Sequence, residues 1–208
     1  MPRPRLTPED PSEAAVVCVE CQNGVIGPDS ILPDLSAHIG DLIPNLRRLL
    51  HAARGAGVRV VHATYAGSLG GKQVSTARLF RTTEPATADW RPGDPPTQVL
   101  PELFATTDLV LPRHHGLMPA SNTELLPVLA NLGVRTVILT GVSLNVAIPL
   151  TAGPITEAGF NLVVPKDAVA GSPPAYGEQV LLHTLAVLGR ITSVNDLVAE
   201  WSAPGTTP

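Results

Sequence analysis

Glu20 is the first residue whose type and position suggest chemistry. It ends the continuous apolar run AAVVCVE at residues 14–20, a pattern typical of a central parallel strand with functional groups at its carboxyl end. Carboxylates are rarely buried without a reason, so Glu20 is predicted to act as an acid or a base in a pocket. The alternative is a structural carboxylate that pairs with Arg113 or caps a neighbouring loop.

The turn TGVSLNVAIPL, at residues 140–150, is the second candidate for chemistry. An apolar strand, then Gly141, then a helix start would point backbone N–H groups at whatever lies above the sheet, which favours anions. A nucleophile is expected in the first helical turn, but that position holds Ala147. Ser143 is a small hydroxyl nearby, although no obvious base accompanies it.

Cys18 and Cys21 form a C-x-x-C motif, which often marks a redox or metal pair. A redox motif of this kind normally opens a helix, and a zinc site needs a second pair of ligands, which is absent from the sequence. Both cysteines fall on or just after the first predicted strand. Two buried structural thiols are therefore the favoured interpretation.

Alternating strands and helices must position these side chains. The strand–helix alternation predicts βαβ units in one domain at residues 14–203, after a flexible, Pro-rich arm at residues 1–13. The expected fold is a three-layer α/β/α sandwich around a mostly parallel, six-stranded sheet. Apolar runs predict strands at 14–20, 58–65, 107–113, 134–141, 159–168 and a short sixth one from 191. Periodic patterns predict helices at 41–57, 121–133, with Ser121 or Asn122 as its cap, and 174–189, besides one after the fourth strand and one that closes the chain.

Pro149 and Pro154 fall in the helix that follows the fourth strand. Proline fits only the first turn of a helix, and Pro154 lies beyond it. The sequence therefore predicts a short, bent or broken helix here, which would move the backbone N–H groups of its first turn.

Several stretches, taken in order, resemble the isochorismatase-like hydrolases, which include cysteine amidases acting on nicotinamide and related small amides. The matching stretches lie between residues 14 and 196 and read VVCVECQNGV, WRPG, LVLPRHHG, VRTVILTGVSLNVAIPLTA and AGFNLVVPKDAVAG. The resemblance implies a parallel sheet with a small-molecule pocket at the carboxyl ends of its strands. It also implies a homo-oligomer, a dimer or a tetramer.

The cysteine enzymes of that family use an Asp, a Lys and a Cys, and this chain departs from all three. The corresponding positions hold Glu20, Arg113 and Ala147. Alanine cannot form a thioester, so cysteine-type amidase chemistry is expected to be absent. The family's true isochorismatases also lack the cysteine and use a carboxylic acid to protonate a vinyl ether. Glu20 retains a carboxyl for such a role, and Arg113 retains a positive charge that suits a substrate carboxylate.

Further pocket residues follow from the same resemblance. Gln22 matches the loop after the first strand, Asn145 matches an asparagine at the helix start, and Trp90 is expected to wall the pocket. His114 either faces the pocket and titrates near neutral pH or is exposed. The polar segment at residues 66–97, which carries Trp90, is long enough to be a lid or an assembly arm. No cofactor is expected, nor a metal, because His62 after the second strand has no acidic neighbour in the sequence.

The bulk composition narrows the class of protein. The net charge of −4 is spread along the chain, which argues against a nucleic-acid surface, and no apolar run approaches the length of a membrane span. The first residues carry no apolar signal core, so a cytoplasmic location is expected. Two functions stay open: a small-molecule hydrolase that uses Glu20 and Arg113 without a covalent step, and a catalytically inactive homologue that binds a ligand or scaffolds a complex. A thiol enzyme that depends on Cys21 is a third alternative.

Overall fold

A seven-stranded parallel sheet forms the centre of the molecule. The structure, a computed structural model, describes residues 10–69 and 75–202. The strands lie in the order β3-β2-β1-β4-β5-β7, and the short β6 pairs with β4. They are β1 (Ala14–Val19), β2 (Arg59–Tyr65), β3 (Leu109–Arg113), β4 (Thr136–Val142), β5 (Asn161–Pro165), β6 (Val169–Ala170) and β7 (Arg190–Thr192).

Nine α-helices lie in the described residues, and the longer ones cover both faces of the sheet. They are α1 (Asn23–Ile26), α2 (Pro33–Ala37), α3 (Leu42–Gly55), α4 (Arg78–Thr87), α5 (Leu125–Asn131), α6 (Ala147–Glu157), α7 (Pro174–Val180), α8 (Ala186–Leu188) and α9 (Val194–Ser202). Turns of 3-10 helix lie at Pro11–Glu13 and Pro95–Thr97, and a π-helical turn at Leu181–Leu185 joins α7 to α8. None of these helices combines the length and the apolarity that crossing a bilayer requires.

Two apolar clusters hold the three layers together. The residues of β1 alternate between them: Val16 and Cys18 face the cluster under α3 and α9, whereas Val17 and Val19 face the cluster under α5 and α6. Such alternation follows from the period of two along a strand, and a strand buried on both faces reads as a continuous apolar run. The predicted three-layer α/β/α architecture is confirmed.

The sheet has seven strands, one more than the six predicted from the sequence. The segment predicted as one strand at 159–168 divides into β5, which ends at Pro165, and the two-residue β6, which pairs with β4 beyond it. A two-residue strand is too short to show any periodicity in a sequence. Of the predicted N-terminal arm, only residues 10–13 are described, and there Arg135 N–H donates to the Glu13 carbonyl at 2.7 Å.

Two predicted helices also differ from the structure. Helix α5 begins at Leu125, so neither Ser121 nor Asn122 caps it; Asn122 instead has a left-handed backbone (φ 54°). Helix α6 continues through both prolines, so the predicted break is wrong. Pro149 lies in the first turn, where an N–H has no helical partner, and Pro154 removes one bond while Ala158 N–H still donates to the Pro154 carbonyl at 3.0 Å.

Candidate functional site

The candidate site lies where the chain changes direction across the sheet. From β1 the chain adds β2 and β3 on one side, then crosses back to place β4 against the other side of β1. The carboxyl ends of β1 and β4 therefore form a topological switch point, the place where open α/β sheets bind ligands. Glu20 follows β1, and Ser143 follows β4.

Glu20 and Arg113 form a mostly buried ion pair at this edge of the sheet. Arg113 ends β3, and its Nη2 donates to Oε1 of Glu20, whose side chain is 14% exposed against 5% for Arg113. The pair spans the width of β2, because β1 and β3 are not neighbours in the sheet. Glu20 reaches across from a left-handed backbone (φ 53°), an uncommon conformation for a residue with a side chain.

Three further features define the environment of Arg113. Its Nε donates to the Gly116 carbonyl at 3.0 Å, and its guanidinium lies 5.2 Å from the centre of the Tyr65 ring. Its Nη1 is buried and has no hydrogen-bond partner among the described residues. A buried donor of this kind is costly to leave unmet, so Nη1 suits an anion or water.

Glu20 and Arg113 form part of the lining of a small cavity. The cavity measures about 60 Å³, and Tyr65, Phe80 and Trp90 wall it. Their rings form an aromatic cluster of their own, with the Tyr65 and Phe80 ring centres 5.7 Å apart. We name this space the inner cavity; its size suits a few water molecules or the end of a small ligand.

A larger cleft of about 370 Å³, the outer cleft, adjoins the inner cavity. The two spaces share Ile31, Leu32 and Leu79 in their linings. Ser143 and Asn145 line the outer cleft from the turn after β4, and Ser172 lines it from the loop before α7. Its volume falls in the range of small-molecule sites.

The start of α6 borders the outer cleft without supplying a nucleophile. Ala147 N–H donates to Ser143 Oγ at 3.5 Å, and the Ala147 methyl group packs into a core cluster and lines neither space. Asn145 does not cap α6, because Val146 occupies the N-cap position and no side chain caps it. Asn145 Oδ1 is instead buried without a hydrogen-bond partner among the described residues.

Gln22 and His114 line neither the inner cavity nor the outer cleft. The Gln22 amide is buried and fully engaged: Nε2 donates to the carbonyls of Tyr65 at 2.9 Å and Pro96 at 3.1 Å, and Oε1 accepts from Tyr65 N–H at 2.8 Å. Gln22 therefore ties the turn after β1 to the end of β2. His114 is half-buried, with Nδ1 2.8 Å from the Gly67 carbonyl.

Sequence reasoning missed the residues that give the two spaces their shape. Leu32 and Leu79 come from segments that are not strands, and α4 lies inside the segment read as a long loop. On α4, the buried Phe80 and the inward-facing Thr83 lie three residues apart. This is a helical spacing, and it is visible in the sequence of residues 78–87. Across residues 10–69 and 75–202, no group of three or more His, Cys, Asp or Glu side chains is placed to hold a metal ion.

Comparison with known proteins agrees with the fold. Ureidoacrylate amidohydrolase RutB of Serratia proteamaculans is 26% identical over 97% of this chain and 88% of its own length. The structure of a cysteine hydrolase from Pseudomonas syringae pv. phaseolicola superposes with a TM-score of 0.79 at 21% identity, over 97% of this chain and 98% of that one. An isochorismatase-like hydrolase from Alkaliphilus metalliredigens gives a TM-score of 0.76 at 18% identity, over 95% and 99% of the two chains.

A match to a family model identifies the family itself. The isochorismatase domain matches residues 14–196, from the first residue of β1 into α9. That span contains the whole sheet, the Glu20–Arg113 pair and both spaces. This chain therefore belongs to the isochorismatase domain family.

Proposed function

We propose that this protein is a hydrolase-like member of the family that acts on a small polar molecule without a covalent enzyme intermediate. Glu20 serves as the acid or base, and Arg113 anchors an anionic group of the substrate. The observation that carries the proposal is the Glu20–Arg113 pair beside the inner cavity, with Arg113 Nη1 left as an unpartnered buried donor. Such a donor beside a cavity suits a carboxylate.

A covalent route has no nucleophile at the start of α6. Ala147 carries a methyl group, and Ser143 Oγ accepts from the Ala147 N–H. No hydrogen bond in the described part of the chain links Ser143 to a histidine or a carboxylate that would activate it. Serine without a neighbouring base is a weak nucleophile, so the proposed attacking group is a water molecule that Glu20 can activate.

The proposed step uses water held in the inner cavity. Glu20 Oε1 accepts from Arg113, so the second carboxylate oxygen takes a proton from the water while the water oxygen bonds to the substrate carbon. Glu20 then returns that proton to the leaving group as its bond to the carbon breaks.

The substrate class follows from the charges and from a relative. The Serratia relative is a ureidoacrylate amidohydrolase by name. Arg113 Nη1 offers a contact for an anionic group, and the outer cleft offers room for the rest of a small molecule. We therefore propose a carboxylate-bearing substrate of that size.

The alternative function is a catalytically inactive homologue that binds a ligand or scaffolds a complex. It is favoured by the Ala147 methyl group and by the direct pairing of Glu20 with Arg113, which engages both charged groups without a ligand. Under this alternative the two spaces bind a small anion that leaves unchanged.

A turnover screen distinguishes the two functions. Purified wild-type protein is assayed with isochorismate-type vinyl ethers, small amides and small esters, beside Glu20→Gln and a control in exposed Glu102→Gln. The glutamine at position 20 still accepts from Arg113 but cannot move a proton, so kcat/KM is expected to fall by about 100-fold or more, with the control unchanged. Equal turnover in wild type and Glu20→Gln contradicts the mechanism. No turnover, together with a ligand-induced rise in Tm, supports the inactive homologue.

Assembly and location are proposals of the same kind. We propose a homo-oligomer, a dimer or a tetramer, in the cytoplasm. Light scattering on the purified chain measures its mass in solution, and a single-chain mass would contradict the oligomer. Cell fractionation tests the location.

A further inference from the structure

A second group of titratable side chains lies inside the sheet, apart from the Glu20–Arg113 pair. Cys18, the second-last residue of β1, stands directly opposite His62 on β2. Cys18 is fully buried, Cys21 is 2% exposed and His62 is 1% exposed. Neither proposed function uses any of these three residues.

Asp108 and Arg54 hold the His62 ring in place. Asp108 Oδ2 lies 3.0 Å from His62 Nε2 and accepts from Arg54 Nη2 at 2.7 Å and from Ala105 N–H at 2.9 Å. An ionised carboxylate only accepts hydrogen bonds, so Nε2 carries the hydrogen in this contact. Nδ1, the other ring nitrogen, is buried and accepts no hydrogen bond from the described residues.

The electrostatics of this group favour a charged His62. Burial alone would lower the pKa of His62, but its interactions with Asp108 and Cys18 outweigh burial and raise the pKa to about 9. Burial alone would raise the pKa of Asp108, but hydrogen bonds from His62, Arg54 and Ala105 outweigh it and lower the pKa to about 2. His62 is thus a local positive charge facing a thiol.

The two thiols are neighbours with unequal roles. Cys21 interacts directly with Cys18 and lowers its pKa well below the usual range, against the effect of burial, and His62 adds to the lowering. The same interaction and burial raise the pKa of Cys21. Thr140 Oγ1 donates to Cys18 Sγ at 3.4 Å, whereas Cys21 Sγ donates to the Val19 carbonyl at 3.6 Å. The hydrogen bonds agree with these directions, because the Cys18 sulfur accepts one and the Cys21 sulfur donates one.

We propose that Cys18 and Cys21 are a peroxide-sensitive thiol pair that closes to an internal disulfide, with His62 as the positively charged partner of Cys18. The carrying observation is that Cys18 stands opposite His62 in the register of β1 and β2, that Asp108 holds the His62 ring, and that both cysteines lie in the same buried core cluster. A positively charged histidine beside a cysteine favours its thiolate, which is the nucleophilic form.

The oxidation proceeds in two balanced steps with hydrogen peroxide as the oxidant. The Cys18 thiolate attacks one peroxide oxygen, the O–O bond breaks, and the products are a sulfenic acid on Cys18 and hydroxide, which takes up a proton. The Cys21 sulfur then attacks Cys18 Sγ, an S–S bond forms, and the sulfenic hydroxyl leaves with the Cys21 proton as water. The pair loses two hydrogens in total, and one peroxide molecule becomes two water molecules.

The position of Glu20 between the two cysteines links this pair to the cavity. Glu20 lines the inner cavity, so the C-x-x-C motif brackets a residue that a small solute can reach. Burial makes the reaction slower than that of an exposed thiolate. Closing the disulfide constrains the backbone at Glu20 and is expected to disturb its bond to Arg113.

The test oxidises the full folded chain with hydrogen peroxide, followed by alkylation of remaining thiols in denaturant and peptide mapping by mass spectrometry. A peptide that contains the Cys18–Cys21 bond, lighter by two hydrogens, is the expected result. In Cys21→Ser the resolving thiol is absent, so dimedone is expected to label Cys18 as a trapped sulfenic acid. His62→Gln is expected to slow oxidation by about tenfold. The control is His51→Gln, an exposed histidine on α3.

Two outcomes would overturn the proposal. Both thiols could remain open to alkylation after peroxide treatment of the folded chain, or dimedone could label Cys21 in a Cys18→Ser chain as fast as it labels Cys18 in Cys21→Ser. Neither comparison uses a His62 variant, so both hold even if His62→Gln fails to fold.

Discussion

At the scale of single residues, the backbone of Glu20 explains how the ion pair forms. A left-handed conformation costs a residue with a side chain about 1 kcal/mol or more, and surrounding structure must hold it. Glu20 N–H donates to the Ala63 carbonyl at 2.9 Å, and Gln22 N–H donates to the Glu20 carbonyl at 2.9 Å. These bonds turn the chain out of β1 and carry the Glu20 side chain towards β3.

Asp108 gives a residue-scale prediction about acid stability. Its pKa is about 2 in the fold and 3.8 ordinarily, so the folded chain holds its proton less tightly than the unfolded chain. A lowered pKa contributes stability that is present above about pH 3.8 and is lost as the pH falls towards 2. Asp108→Asn is expected to be less stable than wild type near neutral pH, with a difference that shrinks between about pH 4 and pH 2.

Urea unfolding of both chains at several pH values measures this difference. Asp89→Asn, at an exposed position, serves as the control. The prediction is contradicted if the difference in unfolding free energy between wild type and Asp108→Asn stays constant down to the lowest pH.

At the scale of elements, the packing of α1 against Trp90 shapes the inner cavity. A Cβ at Gly24 would lie 2.5 Å from Trp90 Cη2 and 2.8 Å from Pro96 Cβ. Both contacts are closer than van der Waals packing allows, so only glycine lets α1 approach the ring. Trp90 also walls the inner cavity, so a larger side chain at residue 24 would change the shape of that cavity by displacing the Trp90 ring.

Gly24→Ala is therefore expected to destabilise the fold by about 2 kcal/mol, because overpacking forces Trp90 out of place. The measurement is urea unfolding with the tryptophan emission recorded in the native state. Gly153→Ala on α6 is the matched control, because a Cβ there meets nothing within 4 Å, and it is expected to stabilise by about 0.5 kcal/mol. Equal stabilities for the two variants would contradict the role of Gly24.

Some strands and helices can be predicted from the sequence, and others cannot. Continuous apolar runs predict β1, β2 and β4 within a residue or two, because these strands are buried on both faces. The start of α5 and the short β6 are not predictable in this way. The start of α5 depends on the backbone conformation near Asn122. Strand β6 depends on its pairing with β4, which is distant in sequence.

The candidate site also contains residues that the sequence can predict and residues that it cannot. Glu20 and Arg113 are predictable because each ends a strand that has a recognisable pattern. The walls from α4 and from the segment around Leu32 come from polar or irregular stretches, whose position only tertiary packing decides. The opposition of Cys18 and His62 depends on the register between β1 and β2, which a single sequence does not state.

At the scale of the whole molecule, the order of the strands explains why chemistry-bearing residues collect at one edge. All pairings within the described sheet are parallel, so every strand delivers its following loop to the same edge. The crossing between β1 and β4 opens a crevice there, which the helices on the two faces do not cover. A change in the turns after these strands therefore alters the site.

The outermost strand of this sheet bears on how the protein behaves when concentrated. Strand β3 forms one edge, and Leu109 and Val110 on it are 38% and 41% exposed. An open edge with apolar side chains invites another chain to add a strand, and Pro112 in the same strand removes one backbone donor from that ladder. Pro112→Val is expected to raise light scattering as concentration increases, and adding Leu109→Lys is expected to reverse the rise. If scattering does not change, Pro112 has no protective role; if it rises, this single proline keeps the sheet edge from seeding aggregation.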